Sequence, residues 1–424
     1  MTRFFYSCLL YILSPLIVIY LYFIRGKKNP DYRQNFSERF ALSQNHLPKN
    51  AVIFHCASVG EVLAAVPLIT AYQKKHQNKK IIVTCNTPTG RQQVIDSFKG
   101  HIPVCYLPFD FWDCANRFIK LLKPQQLIIL ETELWLNMMT TAKRAHCSTI
   151  IINARLSRKS LRGYQRVPRL AKAIMDSIDY VASHNHEDVE RFISLGLHAD
   201  RITATGSIKF DINIDTATRK QAEQLKSEFN HRPVWIAGSS HPKEHEKLLY
   251  AHQQLLKVCP EALLIIAPRH PEQFDVVANL LTQQAFTFTK RSENSPCTKQ
   301  VLLANTLGEL KMLYGAADIA YIGGSLIDRG GHNPLEAAAF NIGVVTGPST
   351  YNFAHIYPDL FLQQGAICVE NKTELASRLI SLLDDPHQLK ELGSNARRCL
   401  DQNQGAIEKS LQILEHNLIK ETIL

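Results

Sequence analysis

The chain lacks the spacings that mark metal and redox proteins. Its ten cysteines, from Cys8 to Cys399, never form a C-x-x-C pair or any zinc-ligand spacing. Most lie inside apolar runs, where a thiol acts as a small hydrophobe. This argues against a disulfide scaffold and a structural zinc, and points to a reducing compartment. No G-x-G-x-x-G follows the first strand-like run, and no G-x-x-x-x-G-K-[ST] occurs anywhere. Dinucleotide oxidoreductases and P-loop ATPases lose their weight accordingly. Internal repeats and low-complexity segments are also missing. Charge is modest at 20% and hydrophobic residues make up 45%, so the chain is neither disordered nor a polytopic transporter.

Acids are scarce in one half only. Residues 1–211 hold 28 Lys and Arg against 15 Asp and Glu, a balance of +13, whereas the remainder holds 20 against 23, or −3. Such asymmetry directs the first half toward an anionic partner: nucleic acid, phospholipid headgroups or a phosphorylated substrate. From Phe4 to Ile24 there is no charge for 21 residues, with Arg3 before and Arg25, Lys27 and Lys28 after. About 20 apolar residues can span a bilayer. The run ends without a small-residue cleavage site, so a retained anchor over residues 1–25 is expected. The basic residues after it put the rest of the chain on the cytoplasmic side. Pro15 and the aromatics Tyr11, Tyr20 and Tyr22 leave an interfacial helix open. Between Arg155 and Lys172 seven basic residues occur with no acid, a pattern that suits a phosphate or a membrane surface.

The length of 424 residues predicts two or three domains. From residue 51 short apolar runs alternate with amphipathic helices: AVIFHCA at 51–57, KIIVTCN at 80–86, then runs at 104–109, 127–131, 149–153, 180–183 and 201–206. A second set begins at Val234 and continues at 262–267, 286–289, 301–304, 319–322 and 343–345. Continuous apolar strands with helical crossovers imply parallel sheets covered on both faces. Two doubly wound domains are therefore expected, over 26–210 and 211–424, the second carrying the terminal helices. Ligands of such sheets bind at strand C-terminal ends, near the point where strand order reverses.

The chemistry-bearing residues fall at those ends. Glu61 opens a helix after the first strand, where a carboxylate can accept a proton from a hydroxyl or simply cap the helix. Glu131 and Glu133 follow the fourth strand. Arg269 and His270 follow ALLIIAP, and an arginine there can donate two parallel hydrogen bonds to a phosphate or carboxylate. Gly330 and Gly331 precede His332, Asn333, Pro334, Leu335 and Glu336. That run reads as a close backbone approach, an N-cap, a first helical turn and a carboxylate suited to a ribose diol.

Six ordered motifs, SVGE from Ser58, ETELW from Glu131, NARLS from Asn153, TGSIKFD from Thr205, PRHP from Pro268 and GGHNPLE from Gly330, resemble those of the Kdo transferases, the 3-deoxy-D-manno-octulosonic acid transferases of lipopolysaccharide synthesis. The resemblance covers nearly the whole chain. It implies a GT-B fold of two Rossmann-like domains behind an N-terminal membrane helix, the acceptor on the first domain and the sugar nucleotide on the second, with a cleft between them. The implied donor is CMP-Kdo and the implied acceptor the tetraacylated lipid A precursor. The family further implies Glu61 as general base and Glu131 and Lys209 as transition-state support. Arg269, His270, Leu307, Gly308, Glu309 and Asn333 to Glu336 would hold CMP. No metal, cofactor or nucleic acid is expected, and the location implied is the cytoplasmic face of the inner membrane, an anionic surface. One departure stands out: Leu136 follows Trp135 where the family commonly has proline. Two competing readings are another GT-B sugar-nucleotide enzyme, such as an epimerase, and a non-catalytic glycolipid-binding protein.

Overall fold

Short apolar runs settle as strands where both of their faces can be covered. In a computed structural model that describes residues 3–422, they do so in two α/β units. One unit holds the chain up to Asp211 and again from Gln404; the other holds Ile212–Asn403.

The first unit is built on seven strands: β1 Val52–His55, β2 Ile81–Cys85, β3 Val104–Tyr106, β4 Gln126–Leu130, β5 Ser148–Ala154, β6 Tyr180–Ser183 and β7 Ile202–Ala204. All pair in parallel, in the order β3-β2-β1-β4-β5-β6-β7, so strand order reverses between β1 and β4. Side chains alternate between two cores. Ile53, Ile129 and Ile151 face the helices Trp112–Leu122 and Leu136–Arg144. Val52, Phe54, Ile128 and Ile150 face the helix Val59–Lys75. Each such side chain contributes about 1.5–3 kcal/mol on full burial. Leu136 is the first residue of its helix and is buried, so leucine fills the place where proline was expected.

The second core also takes the C-terminal helix Ala406–Thr422, through Ala406, Leu411 and Leu414. This differs from the expectation of a second domain running to residue 424. The reason is that the sheet face beside Val59–Lys75 needs more cover than that one helix gives. Polar contacts fix the return: the Asp211 carboxylate accepts from the Gly405 N–H at 2.6 Å and from the Ile407 N–H, and Lys75 pairs with Glu415 at 2.8 Å.

The second unit also has seven parallel strands: β8 Val234–Ser240, β9 Leu263–Pro268, β10 Phe288–Lys290, β11 Val301–Leu303, β12 Ile319–Ile322, β13 Gly343–Thr346 and β14 Ala366–Cys368. Their order is β10-β11-β9-β8-β12-β13-β14, with the reversal between β8 and β12. The short edge strand β14 has no counterpart in the sequence reading, because three residues show no period.

At the N-terminus one helix runs over Arg3–Lys28, with a mean hydropathy of 2.2 and none of its most apolar window buried. Pro15 removes the N–H that would reach the Tyr11 carbonyl, and the Ser14 hydroxyl donates to that carbonyl at 2.7 Å instead. One helix face is tied to the first unit: Arg3 to Asn137 at 2.8 Å, Tyr6 to Asp110 at 2.8 Å, and Tyr11 to Asp113. The opposite face is bare and apolar, with Phe4 70% and Ile12 73% exposed.

The return of the C-terminal helix is testable. Leu414→Ala empties a fully buried position in the first unit's core and should lower its unfolding free energy by about 2–5 kcal/mol in urea denaturation. A loss within 0.5 kcal/mol, the range of ordinary surface changes at roughly ±0.5 kcal/mol, would mean that the helix is not part of that core.

Candidate active site

In the first unit the switch point between β1 and β4 gathers four of the six motifs. Ser58 caps the helix Val59–Lys75 and Glu61 answers it. The Ser58 hydroxyl donates to Glu61 Oε1 at 2.9 Å, and the Ala57 N–H donates to Oε2 at 2.7 Å. Glu61 is thus a capping residue and yet only half-buried, with no cation paired to it among the described residues. Burial lifts its carboxyl to about 7; the Ala57 N–H and the Ser58 hydroxyl hold it down, and the charges of Glu131 and Glu133 push it up. Glu133 is raised as well, by burial first and by Glu131.

Glu131 leaves β4 with a φ of 60°, left-handed and rare for a residue with a side chain. Its N–H still reaches across to the Ile152 carbonyl at 2.9 Å. The turn that follows is locked: the Thr132 hydroxyl donates to the Arg155 carbonyl at 2.5 Å and accepts from the Arg155 N–H at 3.0 Å. Lys209 sits on the short turn Ile208–Phe210, anchored by the buried Ile208 and by its N–H to Asn153 Oδ1 at 3.1 Å. From there its ammonium pairs with Glu131 at 3.3 Å. At this strand-end cluster Glu131 and Lys209 are therefore in contact, and Glu61 is coupled to Glu131 by charge.

The C-terminal ends in the second unit form a different kind of site. Arg269 and His270 follow β9 and are exposed. Asn333 does not cap a long helix. Its Oδ1 accepts from the Leu335 N–H at 3.1 Å, and the helix Leu335–Ala338 is a single turn with Glu336 as its second residue. Burial raises the Glu336 carboxyl, while Lys311 and Arg269 pull it back. Gly330, at φ 77°, lies where a Cβ would stand 2.5 Å from the Tyr351 ring. Leu307 is 70% exposed and Gly308 has a φ of 84°. Glu309 does not stand free: Arg291 reaches it at 3.2 Å and the Thr306 hydroxyl also binds it.

Sequence reasoning passed over two features here. Glu244 is completely buried, and its carboxylate accepts from the Tyr321 hydroxyl and the Gly324 N–H, each at 2.7 Å, and from the N–H groups of His241, Ser325 and Leu326, each at 3.1 Å. One carboxylate thereby joins the loop after β8 to the loop after β12, the two strands at the reversal. The second feature is the pairing of His241 with His332, Nε2 to Nε2 at 2.8 Å. An acid three residues beyond a strand-end histidine was the available signal, and it resembles an ordinary cap.

Comparison with known proteins adds to the geometry. Residues 34–212 match the family 3-Deoxy-D-manno-octulosonic-acid transferase (kdotransferase), and residues 223–399 match the glycosyl transferases group 1. The chain is similar to the 3-deoxy-D-manno-octulosonic acid transferase of Haemophilus influenzae, at 36% identity over 98% of each chain. It is also similar to that of Bordetella pertussis, at 28% identity over 95% of this chain and 96% of the other. Among solved structures it shares its fold with the UDP-GlcNAc 2-epimerase of Neisseria meningitidis, with a TM-score of 0.57 and 15% identity over 87% of this chain and 100% of that one.

The poised state of Glu61 can be read directly. Infrared difference spectra across pH should show a carboxyl with a midpoint of about 7 that disappears in Glu61→Gln. Asp110, lifted by burial to about 6, remains as an internal reference. Identical spectra for the two proteins above pH ~6 would place the Glu61 carboxyl in the ordinary range.

Proposed function

The chain belongs to the 3-deoxy-D-manno-octulosonic acid (Kdo) transferases, which are glycosyltransferases, and we propose that it moves Kdo from CMP-Kdo to the tetraacylated lipid A precursor with inversion at the anomeric carbon. The observation that carries this reading is the strand-end carboxylate Glu61, poised near neutrality beside the Glu131–Lys209 pair. An attacking sugar hydroxyl must lose its proton as the bond forms, and a base with a pKa near the working pH takes it most effectively. CMP departs as a phosphate, and the anomeric carbon becomes cation-like. Glu131 is suited to that developing positive charge, and Lys209 to the departing phosphate or the sugar carboxylate.

The nucleotide is assigned to the second unit. Arg269 supplies a guanidinium for the phosphate, and Glu336 a carboxylate for the ribose diol. His270, the loop Leu307 to Glu309 and the segment Asn333 to Leu335 complete that assignment. Inversion requires base and leaving group on opposite faces of the anomeric carbon, and the two sets of residues belong to different units.

The acceptor is a lipid bearing phosphates, and the first unit suits it. The basic residues between Arg155 and Lys172 are all exposed, and Lys172 alone among them forms an ion pair within the described residues. Arg158, Lys159 and Arg162 ride on the helix Arg158–Gln165, and Arg169 and Lys172 on the helix Pro168–Met175, which Pro168 opens. Leu161, Tyr164 and Val167 of this segment pack on the same core as Tyr6 of the apolar N-terminal helix. A membrane-bound anionic acceptor is compatible with both surfaces.

Two measurements test these proposals. Incubation with CMP-Kdo and the lipid A precursor should yield the Kdo-bearing lipid by mass spectrometry. Glu61→Gln should cut the rate ~10²–10⁴-fold. Only the deprotonated base works, so native kcat/KM should rise with pH and level off above about 7. A variant keeping more than about a tenth of the activity removes Glu61 from the role of base. For the membrane, deletion of residues 1–25 should leave binding to anionic vesicles at low salt that is lost near ~1 M, where the Debye length is ~3 Å. Persistent binding at ~1 M would assign attachment to an apolar surface instead, and no binding at any salt would make the basic face a solvated one.

A further inference from the structure

At the switch point of the second sheet, the loop after β8 and the segment after β12 each present a histidine. His241 and His332 lie with ring planes within 5° and centroids 5.1 Å apart, joined Nε2 to Nε2 at 2.8 Å. His270 packs edge-on to His241 at 5.7 Å. The pair is half-buried, while Arg269, His270 and Arg329 are exposed around it. Glu244 fixes the arrangement through the His241 N–H and the N–H groups of Gly324, Ser325 and Leu326. None of these interactions requires an imidazole pair for the fold: the carboxylate alone already joins the loops.

The pair has a definite chemistry. One ring donates its Nε2–H to the bare Nε2 of the other, so the neutral accepting ring must carry its hydrogen on Nδ1. Neither Nδ1 is hydrogen-bonded to protein among the described residues. A proton added to the donating ring gives both rings an Nδ1–H and the pair a single positive charge. We propose that His241 and His332 form, as a bonded pair, a further anion-binding element of the donor site, with Glu244 as the residue that positions them. The proposal rests on the donor assignment above, since the anion is an oxygen of the sugar nucleotide: its phosphate or the carboxylate of its sugar.

The pair on its own is held neutral. Burial lowers both histidines, His332 to about 3, with Arg269, His241 and His270 adding to its shift. His241 also faces Glu244, which favours its charged form, and His270, Arg329 and Arg269, which oppose it; His245 lies nearby and is itself lowered. An anion seated against the Nδ1 atoms reverses that balance, so its binding should draw a proton from the buffer onto the pair.

Calorimetric titration of the detergent-solubilised full chain with CMP and with cytidine, near neutral pH in Pipes and in Tris, reads affinity and proton uptake together. The native protein should bind CMP more tightly than cytidine and take up close to one proton. His241→Asn and His332→Asn should each lose roughly 10- to 100-fold in CMP affinity, the range for hydrogen bonds to a charged group, and lose the proton uptake. Glu244→Gln should weaken CMP while leaving cytidine unchanged. If CMP binding is untouched in the histidine variants but the KM for CMP-Kdo rises by a similar factor, the sugar carboxylate is the anion. The CMP phosphate monoester itself titrates near pH ~6, so uptake is assigned to the pair only where both histidine variants, each shown to be folded by circular dichroism, lose it. Unchanged CMP affinity and unchanged KM for CMP-Kdo in folded variants, or a CMP affinity that falls in the variants although native CMP binding takes up no proton, overturns the proposal. A native protein that neither binds CMP nor turns over CMP-Kdo overturns the donor assignment itself.

Discussion

A parallel sheet covered on both faces leaves charge one place to go. Strand interiors must be apolar, and even His55, buried in β1 against the Thr84 hydroxyl at 2.9 Å, is kept neutral by burial, which lowers it to about 4. Polar side chains collect instead where strands end, and parallel strands all end on the same edge. Motifs some 150 residues apart in sequence, at Glu61 and Lys209, therefore meet without any long-range signal in the sequence. The switch point adds a second advantage. Strands that diverge in connection leave a crevice there, lined by the N-termini of the helices that follow.

Charge pairing then separates acids that look alike. Glu131 and Glu61 both leave the C-terminal edge of the first sheet, one strand apart. Lys209 stands 3.3 Å from Glu131, whereas among the described residues Glu61 meets only an N–H and a hydroxyl. Two donors are too few to offset burial and two neighbouring carboxylates, so Glu61 is the acid left to titrate near neutrality. Glu244 shows the opposite solution. Among the described residues it pairs with no cation, but four N–H groups and a phenol surround it, and a carboxylate so satisfied serves as structure.

Most of this frame was legible in the sequence because burial imposes simple patterns. AVIFHCA and LIILE read as strands since both faces are apolar, and Glu61 and Glu131 read as site residues since they follow such runs. The strand β14 was not legible, because three residues at an edge carry no period. Nor was the return of the chain at Gln404: amphipathic helices announce that they will pack, not on which sheet. The histidine pair was hidden for a related reason. His241 and His332 are 91 residues apart, and a single strand-end histidine does not reveal a partner. The ion pair of Glu309 was hidden for the same cause, since its partner Arg291 lies on another strand end.

The N-terminal helix follows the same rules with one apolar face left uncovered. Its hydropathy alone fits a span, a buried helix or a helix lying in the interface, and the contacts narrow these. Arg3, Tyr6 and Tyr11 hydrogen-bond to Asn137, Asp110 and Asp113 of the first unit, so polar groups occupy one face at helical spacing. Asp110 in turn receives the N–H groups of Asn137 and Met138, at 3.0 and 2.7 Å, which ties the N-terminal helix to the helix start at Leu136. An apolar face held this way cannot turn independently of the unit that carries it. Leu161 and Tyr164, beside the basic residues, pack on the same core as Tyr6. The apolar term and the electrostatic term therefore act on one body. At an anionic membrane, apolar burial would set how firmly that body is held and the basic face which way it turns. On the proposal that the acceptor stays in the membrane, orientation would matter as much as attachment, because a base turned away from the lipid could not reach its hydroxyl.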